Sequence, residues 1–497
     1  MLETQSKLSD ELGAHGPLTQ PPIPVSGSTR DLSSSTHDVR LARRQATHMT
    51  NAIVVGGSIG GLFAGLVLAE VCEHVLLIER GELPDAVVAR AGVPQGLHAH
   101  GLLAGGLKAI EQLLPGLCEE LAAGGCPTGD NLRDAAWVFS GVRLALGDSG
   151  VPGMTVARPL LEHAIRRRVA QLPNLHIRAR TRVTGLLYDA GRVTGVSVAR
   201  APGFEEKLTA DLIVDASGRY SELPEWLTAL GLSAPPTEEI ALETHYASRI
   251  YERRPHHLNG AIALAIVSDP VVPRGGIALA LDKQRWIVSL FAMGRERPAH
   301  DRAGFERFAR TLASPALAEI LEDSESPGDT ATLRFPSSIR RHYERIRDFP
   351  RGLLVCADAL ASFNPAFGQG ITVAAQQAVL LRELLSRVPM NELGKVFLRR
   401  AASIVDAPWN ASAGRSFLFP GVAGRQTLKM RIANAYLPRV IAKAHQDVAI
   451  ASALLEVLHL LAPPSKLFAP SMMLRVLSRN RTKAAIRPLS SARLIGR

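Results

Sequence analysis

Four glycines within six positions, Gly56, Gly57, Gly60 and Gly61, constrain this 497-residue chain more than any other feature. They interrupt residues 52–72, a stretch in which only Ser58 and Glu70 are strongly polar. The stretch has the length of a membrane span, but the glycines would weaken a lone spanning helix. The parse that uses them is a strand over 52–55, a glycine turn, a helix over 60–73, and a short strand over 75–78 that ends at Glu79. That is the opening of a βαβ unit. In Val54-Val55-Gly56-Gly57-Ser58-Ile59-Gly60-Gly61-Leu62 the first glycine permits the tight turn. Ser58 is the small residue where backbone approaches a pyrophosphate, and Gly61 lets the helix pack on the strand. Free N–H groups at the helix start then hold phosphates. Glu79, with Arg80 beside it, stands at a strand end to accept hydrogen bonds from a ribose diol.

Two later segments bear on which dinucleotide is meant. The first is Asp215-Ala216-Ser217-Gly218-Arg219-Tyr220-Ser221, after the short apolar strand 212–214. The second is Gly352-Leu353-Leu354-Val355-Cys356-Ala357-Asp358-Ala359, followed by Asn364-Pro365-Ala366-Phe367-Gly368-Gln369-Gly370. Asp358 ends an apolar strand and can accept from a sugar-alcohol hydroxyl. Gly368 and Gly370 open a helix whose N–H groups suit the anionic edge of a reduced flavin. NAD has no ribityl chain and no need of a second strand–acid element, so the pattern favours FAD.

With these residues in hand, the chain resembles the FAD-dependent aromatic-hydroxylase class of flavoprotein monooxygenases over roughly residues 50–400. Gly92-Val93-Pro94-Gln95-Gly96-Leu97-His98-Ala99-His100, Phe335-Pro336-Ser337-Ser338 and Ser362-Phe363-Asn364-Pro365 add a likeness to the flavin epoxidases of polyether-antibiotic pathways. The resemblance implies an α/β fold: a Rossmann-like FAD-binding domain of the glutathione-reductase type, an inserted antiparallel-sheet substrate domain and a C-terminal helical region. It implies that the glycine turn and Glu79 bind the ADP half of FAD, and that Arg158 and Arg90 support the cofactor or an incoming NAD(P)H. Asp358 would contact ribityl or pyrophosphate, and the Gly368–Gly370 loop the isoalloxazine ring. Two positions depart from the family pattern. Ala357 replaces a glycine, adding a methyl, and Asp215-Ala216-Ser217-Gly218 replaces Gly-Ala-Asp-Gly. The second departure leaves NADPH or NADH as reductant acting either directly or through a separate flavin reductase.

The expected division is an extension over 1–48 without apolar periodicity, FAD-binding segments at 49–222 and 331–395, the substrate domain at 223–330, and helices from 396 to 497. Translation from Met49 is an alternative to Met1. Further elements read from the pattern are a helix over 159–172, strands over 175–188, 192–198 and 212–214, and a helix over 371–385. Breaks are expected at Pro408, Pro420, Pro438 and Pro463-Pro464. Four cysteines with no CxxC and no zinc spacing predict no metal site and a reducing cytoplasm. From Lys466 onward there are eight basic residues and no acidic one. This reads as a solvated end, with at most peripheral membrane contact; the scarcity of aromatics argues against a nucleic-acid platform.

The resulting expectation is a monooxygenase that reduces FAD, adds oxygen at flavin C4a, and transfers one oxygen atom from O2 to a hydrophobic natural product. Polyketide and terpenoid intermediates are the candidate substrates, by epoxidation or hydroxylation. An FAD dehydrogenase or isoprenoid-type reductase on the same fold is the alternative. A halogenase is disfavoured by the absence of Trp-x-Trp-x-Ile-Pro. A cofactor-stabilised docking protein is the non-enzymatic option. No catalytic residue is fixed by spacing. His98 and His100 alternate, so on a strand they share a face and reach flavin or substrate, or else serve as structural histidines. Trp137, Trp286 and Phe363 line a substrate cavity or pack in the core. Cys356 is expected to be buried and inert.

Overall fold

The computed structural model describes residues 49–201 and 204–478; the 1–48 extension and the end of the basic tail lie outside the described residues. The chain opens with β1 (Met49–Val55), α1 (Ile59–Ala69) and β2 (Cys72–Ile78). It returns to the same layer through α2 (Arg158–Ala170), β3 (Leu175–Arg178), β4 (Leu212–Asp215), β5 (Leu353–Val355) and α3 (Gly370–Leu385). These five strands form one parallel sheet in the order β5-β4-β1-β2-β3. Register runs Ile53↔Leu76 on one side of β1 and Ile53↔Ile213 on the other, and Ile213 in turn faces Leu353. A parallel sheet is covered on both faces, so its strands read as unbroken apolar runs; Leu212–Asp215 and Leu353–Val355 are buried at every position. α1 is buried almost all round, through Leu62, Phe63, Val67 and Leu68. That burial, inside protein rather than lipid, is why residues 52–72 are so apolar.

The second layer is a seven-stranded sheet. Its order is Ala331–Phe335, Thr244–Glu252, Arg285–Met293, Arg274–Ala280, Ala263–Val267, Ala135–Phe139, Val142–Arg143. The last two strands come from far upstream of the other five. Side chains alternate across the pleat. Ala247, Val288 and Leu290 pack with residues of the helices Arg302–Ala309 and Ala316–Glu322, while Tyr246 and Phe291 join a cluster with Phe335 and Ala366. A smaller antiparallel sheet spans Arg182–Asp189, Arg192–Ala201 and Phe204–Thr209. The C-terminal region is built from α4 (Met390–Ser416), α5 (Leu428–Ala444), α6 (Val448–Leu458) and α7 (Pro470–Leu477). Among the described residues no helix is long and apolar enough to cross a membrane.

Four local expectations are corrected. The first helix ends at Ala69, not 73, because β2 begins at Cys72 to pair with the whole of β1, Met49 opposite Cys72. The 175–188 strand is two strands in different sheets. The chain turns at Arg180, whose φ is +52°, and Arg180 and Thr181 donate their N–H groups to the carbonyls of Gly81 and Glu79. Pro408 and Pro438 do not break helices; they lie inside α4 and α5. Ala401 and Val405 before Pro408, and Trp409 and Ala413 after it, are all buried. Their burial on both sides outweighs the ~3 kcal/mol that an interior proline costs. Finally, His98 and His100 are not on a strand. They follow a 3-10 turn, Pro94–Leu97, and the next strand begins only at Gly101.

Candidate cofactor cleft

The turn after β1 is held by backbone and by Glu79. Gly56 has φ +105°, and a Cβ there would stand 2.5 Å from the Ala216 carbonyl oxygen. A Cβ on Gly61 would stand 1.8 Å from the Gly56 carbonyl oxygen, so α1 meets β1 only because that position is bare. The buried Glu79 carboxylate accepts from the Gly57 N–H at 2.7 Å and from the Gly81 N–H at 2.8 Å. Ionised carboxylates have about four lone-pair sites, so two amides leave capacity for a diol.

Above the turn lies a buried ion cluster that the motifs reveal only in part. Arg90 and Arg158 are the residues expected at the cofactor; the group that joins them is Glu162. Glu162 Oε1 accepts from Arg90 Nε at 2.7 Å, and Glu162 Oε2 lies 3.4 Å from Arg158 Nη2. Ser58 Oγ donates to Glu162 at 3.2 Å and accepts from Arg158 at 3.0 Å. Arg158 opens α2 and Glu162 lies one turn on. That i,i+4 spacing is the available signal in the sequence. Gly57 and Gly61 support the turn from below, while Gly56, Ser58, Gly60, Glu79, Arg80, Arg90 and Arg158 line one elongated cleft.

The far wall of that cleft comes from the second segment. Asp358, Gly368 and Gly370 line it together with Gln369, and α3 starts at Gly370. Asp358 sits in a 3-10 turn beyond β5, and burial pushes its carboxyl up against the pull of Arg158 and Arg219. Ala357 is more than an added methyl. Its φ is +54°, and its Cβ would lie 2.6 Å from a Cβ on Gly60. The left-handed conformation costs an L-residue roughly 1–2 kcal/mol. The buried Gln377 of α3, unforeseen from sequence, accepts the Ala357 N–H at 2.7 Å and holds the turn. Asp215 works within its own loop, accepting from Ser217 and Ser221 hydroxyls at 2.5 Å each.

The sheet closes the cleft on the third side through Leu333 and Phe335. These two side chains pack with Tyr246, Phe291 and Ala366. Tyr246 donates to Asn364 Oδ1 at 2.7 Å, and Asn364 donates to Thr244 Oγ1 at 2.7 Å, which ties the sheet to the Asn364–Gly370 loop. The two histidines part company. His100 lines the cleft, whereas His98 is buried behind it with Nδ1 2.7 Å from Ser248 Oγ and its ring edge-on to Tyr246. Burial lowers His98 to about 4 and, with the Arg158 charge, lowers His100 to about 3. Arg219, also in the lining, donates to Ser337 and lies 4.7 Å over the Phe335 ring. Of the three aromatics, Phe363 lines the cleft. Trp286 is fully buried in the outer core and Trp137 packs on His459. Cys356 is buried, which pushes its thiol up and keeps it protonated.

His256, His257 and Asp323 form a surface group of metal-ligating types. His257 Nδ1 accepts from Trp286 Nε1 at 3.1 Å, so Nε2 carries the proton and points it at Asp323, 3.3 Å away. That ring has no lone pair left for an ion.

The cleft suits a long, flat, anionic molecule. Gly56, Gly60, Gly368 and Gly370 leave backbone bare along its walls, and three buried atoms of its lining residues, Arg158 Nε, Arg219 Nε and Gln369 Oε1, have no hydrogen-bond partner among the described residues. A family model described as an FAD binding domain matches residues 49–398. The chain belongs to this FAD-binding-domain family. It is an FAD-dependent oxidoreductase of the aromatic-hydroxylase-type flavoprotein superfamily expected from its motifs. Protein Rv3254 of Mycobacterium tuberculosis (strain ATCC 25618 / H37Rv) is 34% identical over 353 residues, covering 67% of this chain and 73% of its own length. Squalene epoxidase 1 of Arabidopsis thaliana is 23% identical over 375 residues, 73% of this chain and 64% of its own length. Among solved structures, a triple mutant of the flavin-dependent brominase Bmp2 matches with TM-score 0.60 at 16% identity, covering 86% of this chain and 97% of that one. PqsL, a probable FAD-dependent monooxygenase from Pseudomonas aeruginosa, matches at 0.56 and 14% identity, covering 74% and 97%. These two likenesses concern the fold.

FAD fits the residues present. The glycine turn with Glu79 would hold its ADP half, Arg90 and Arg158 would offset the pyrophosphate, and Asp358 with Gly368–Gly370 would meet the ribityl and ring end.

Proposed function

We propose that this FAD-family protein is a monooxygenase that transfers one oxygen atom of O2 to a hydrophobic substrate by epoxidation or hydroxylation. When bound and reduced, FAD supplies the activation of O2. The chain's own residues then have three tasks. Glu79, Arg90 and Arg158 hold the anionic half of the cofactor. The N-terminus of α3, which begins at Gly370 in the cleft wall, would stabilise negative charge on the reduced cofactor. The apolar face of the seven-stranded sheet excludes water and receives the substrate. The observation that carries the reading is the position of Leu333 and Phe335, which belong at once to the cleft lining and to the apolar cluster of Tyr246 and Phe291.

An isoprenoid or polyketide alkene is the proposed substrate class, in keeping with the squalene-epoxidase relatives and the polyether-epoxidase motifs. The proposed reductant is NADPH or NADH, used directly or through a flavin reductase. The test supplies reductant, with and without a flavin reductase, to the FAD-loaded protein and a panel of hydrophobic alkenes and phenols. Substrate-dependent O2 uptake with a product heavier by one oxygen supports the reading. A product gaining or losing hydrogen with no O2 consumed would replace it with the FAD reductase or dehydrogenase alternative.

A further inference from the structure

The apolar wall of the cleft extends past the cleft itself. Leu333 and Phe335, which line it, belong to a cluster with Tyr246, Phe291 and Met293 of the seven-stranded sheet and with Ala366 of the Asn364–Gly370 loop. Phe419 and Val422 reach the same cluster from a different quarter, the loop that joins α4 to α5. Phe419 is only 7% exposed, so its ring is pressed onto the sheet face next to the proposed ring end of the cofactor.

The loop owes its shape to itself and not to the sheet. Its root is fixed, because Trp409 of α4 packs edge-on to Phe363 in the cleft wall with ring centroids 6.2 Å apart. From there the backbone N–H groups of Phe417, Leu418, Phe419 and Val422 donate to Ala413, Arg415, Ser416 and Phe419, close by in the chain. Gly421, at φ +82°, turns the backbone between Phe419 and Val422. Gly424, at φ +138°, folds it back over the Phe417 ring, where a Cβ would stand 2.3 Å away. What joins this loop to the sheet, among the described residues, is the apolar contact of Phe419 and Val422. Contact of that kind has no direction, so another apolar group of similar bulk replaces it without loss. A polar group put there would be left unpaired, since the Tyr246 hydroxyl already donates to Asn364. The occupant that suits the place of Phe419 is therefore a hydrocarbon.

We propose that Phe419 determines substrate specificity: it stands where the hydrocarbon body of the substrate lies, and the α4–α5 loop carries it aside when substrate binds. The inference rests on the oxygen-transfer reading for the nature of the substrate, while its test measures binding alone. The FAD-loaded full chain is titrated with geraniol, farnesol and geranylgeraniol, isoprenoid alcohols of rising length, and binding is followed by the change in the flavin absorbance bands. F419A removes the group that substrate must displace, and is expected to bind geranylgeraniol about tenfold more tightly than the unaltered chain. F419W is expected to bind it about tenfold more weakly, and geraniol is expected to change least in both. FAD content and melting temperature qualify the variants as folded. A second measurement needs no variant. Arg425 is exposed in the loop, and trypsin cleavage after it is expected to quicken roughly fivefold when geranylgeraniol saturates the unaltered chain. Equal affinities in the unaltered and folded variant forms overturn the proposal, as does cleavage at Arg425 that geranylgeraniol leaves unchanged or slows. So does a flavin spectrum that none of the alcohols perturbs. Each of these results leaves the oxygen-transfer reading to its own test, O2 uptake with a product heavier by one oxygen.

Discussion

Gly61 lies under the Gly56 carbonyl at a separation no side chain tolerates. Gly61→Val is expected to force α1 off β1 and reduce FAD occupancy at least tenfold, read from the flavin-to-protein ratio after purification; full occupancy would remove the turn from the site. Glu162 makes a different kind of prediction, because it is a buried anion between two buried cations. Removing one partner of such a cluster costs about 3–5 kcal/mol. Glu162→Gln is therefore expected to destabilise the FAD-free protein by roughly 3 kcal/mol and the FAD-loaded protein by less, since pyrophosphate takes over the charge of Arg90 and Arg158. Urea unfolding with and without FAD checks this, and equal losses would contradict it. The two residues differ in legibility. Gly61 is readable because its reason is local, a helix starting against the strand it follows. Glu162 escapes because Ser58 and Arg90 lie 104 and 72 residues away from it, and only the Arg158–Glu162 spacing hints at the cluster. Ala357 looks like a small change in sequence for the same reason: its φ is set by the Gln377 amide and the approach of α1, which no neighbour in sequence reveals.

At the scale of elements, period and punctuation mark out the parallel sheet, since β1, β2, β4, β5 and α3 each announce themselves by an apolar run next to a glycine or an acid. They mislead at residues 98–100. Alternation of His98 and His100 is compatible with a strand, but Pro94 and Gly96 just before it set a 3-10 turn, so one histidine enters the cleft and the other backs onto Ser248. This segment has a pH signature. A folded-state His98 near 4, against 6.5 for an ordinary histidine, means that the unfolded chain binds the extra proton first as pH falls. Stability is then fully present above pH 6.5 and declines as pH drops from 6.5 toward 4, by up to about 1.4 kcal/mol per pH unit for this one group. His98→Gln is expected to reduce the fall of the melting temperature across that window, with His100 and the buried His459, both also lowered by burial, keeping the rest; an unchanged slope would contradict a lowered His98 in the folded protein. The prolines inside α4 and α5 teach the converse lesson. A local breaker is overridden when the residues on both sides of it have a core to enter.

The whole molecule sets its two main sheets across a cleft, with a helical C-terminal region packed against both: α4 enters the core of the parallel sheet, and α5 and α6 share a core with Trp137 and Phe139 of the seven-stranded sheet. Cleft and sheet derive from chemistry that repeats along the chain, glycine where phosphate must come close and a carboxylate where a hydroxyl must be held. That is why the cofactor class is legible before the fold. The apolar face of the cleft is not, because Tyr246, Phe291, Leu333 and Ala366 come from separate segments that only folding assembles. The central claim is that FAD occupies this cleft, and the visible spectrum of the purified protein tests it most directly. The expected result is a yellow protein with the two absorption bands of an oxidised flavin, whose colour is released on denaturation as FAD in a one-to-one ratio with the chain. A colourless protein that also gains no flavin signal when titrated with FAD would contradict it.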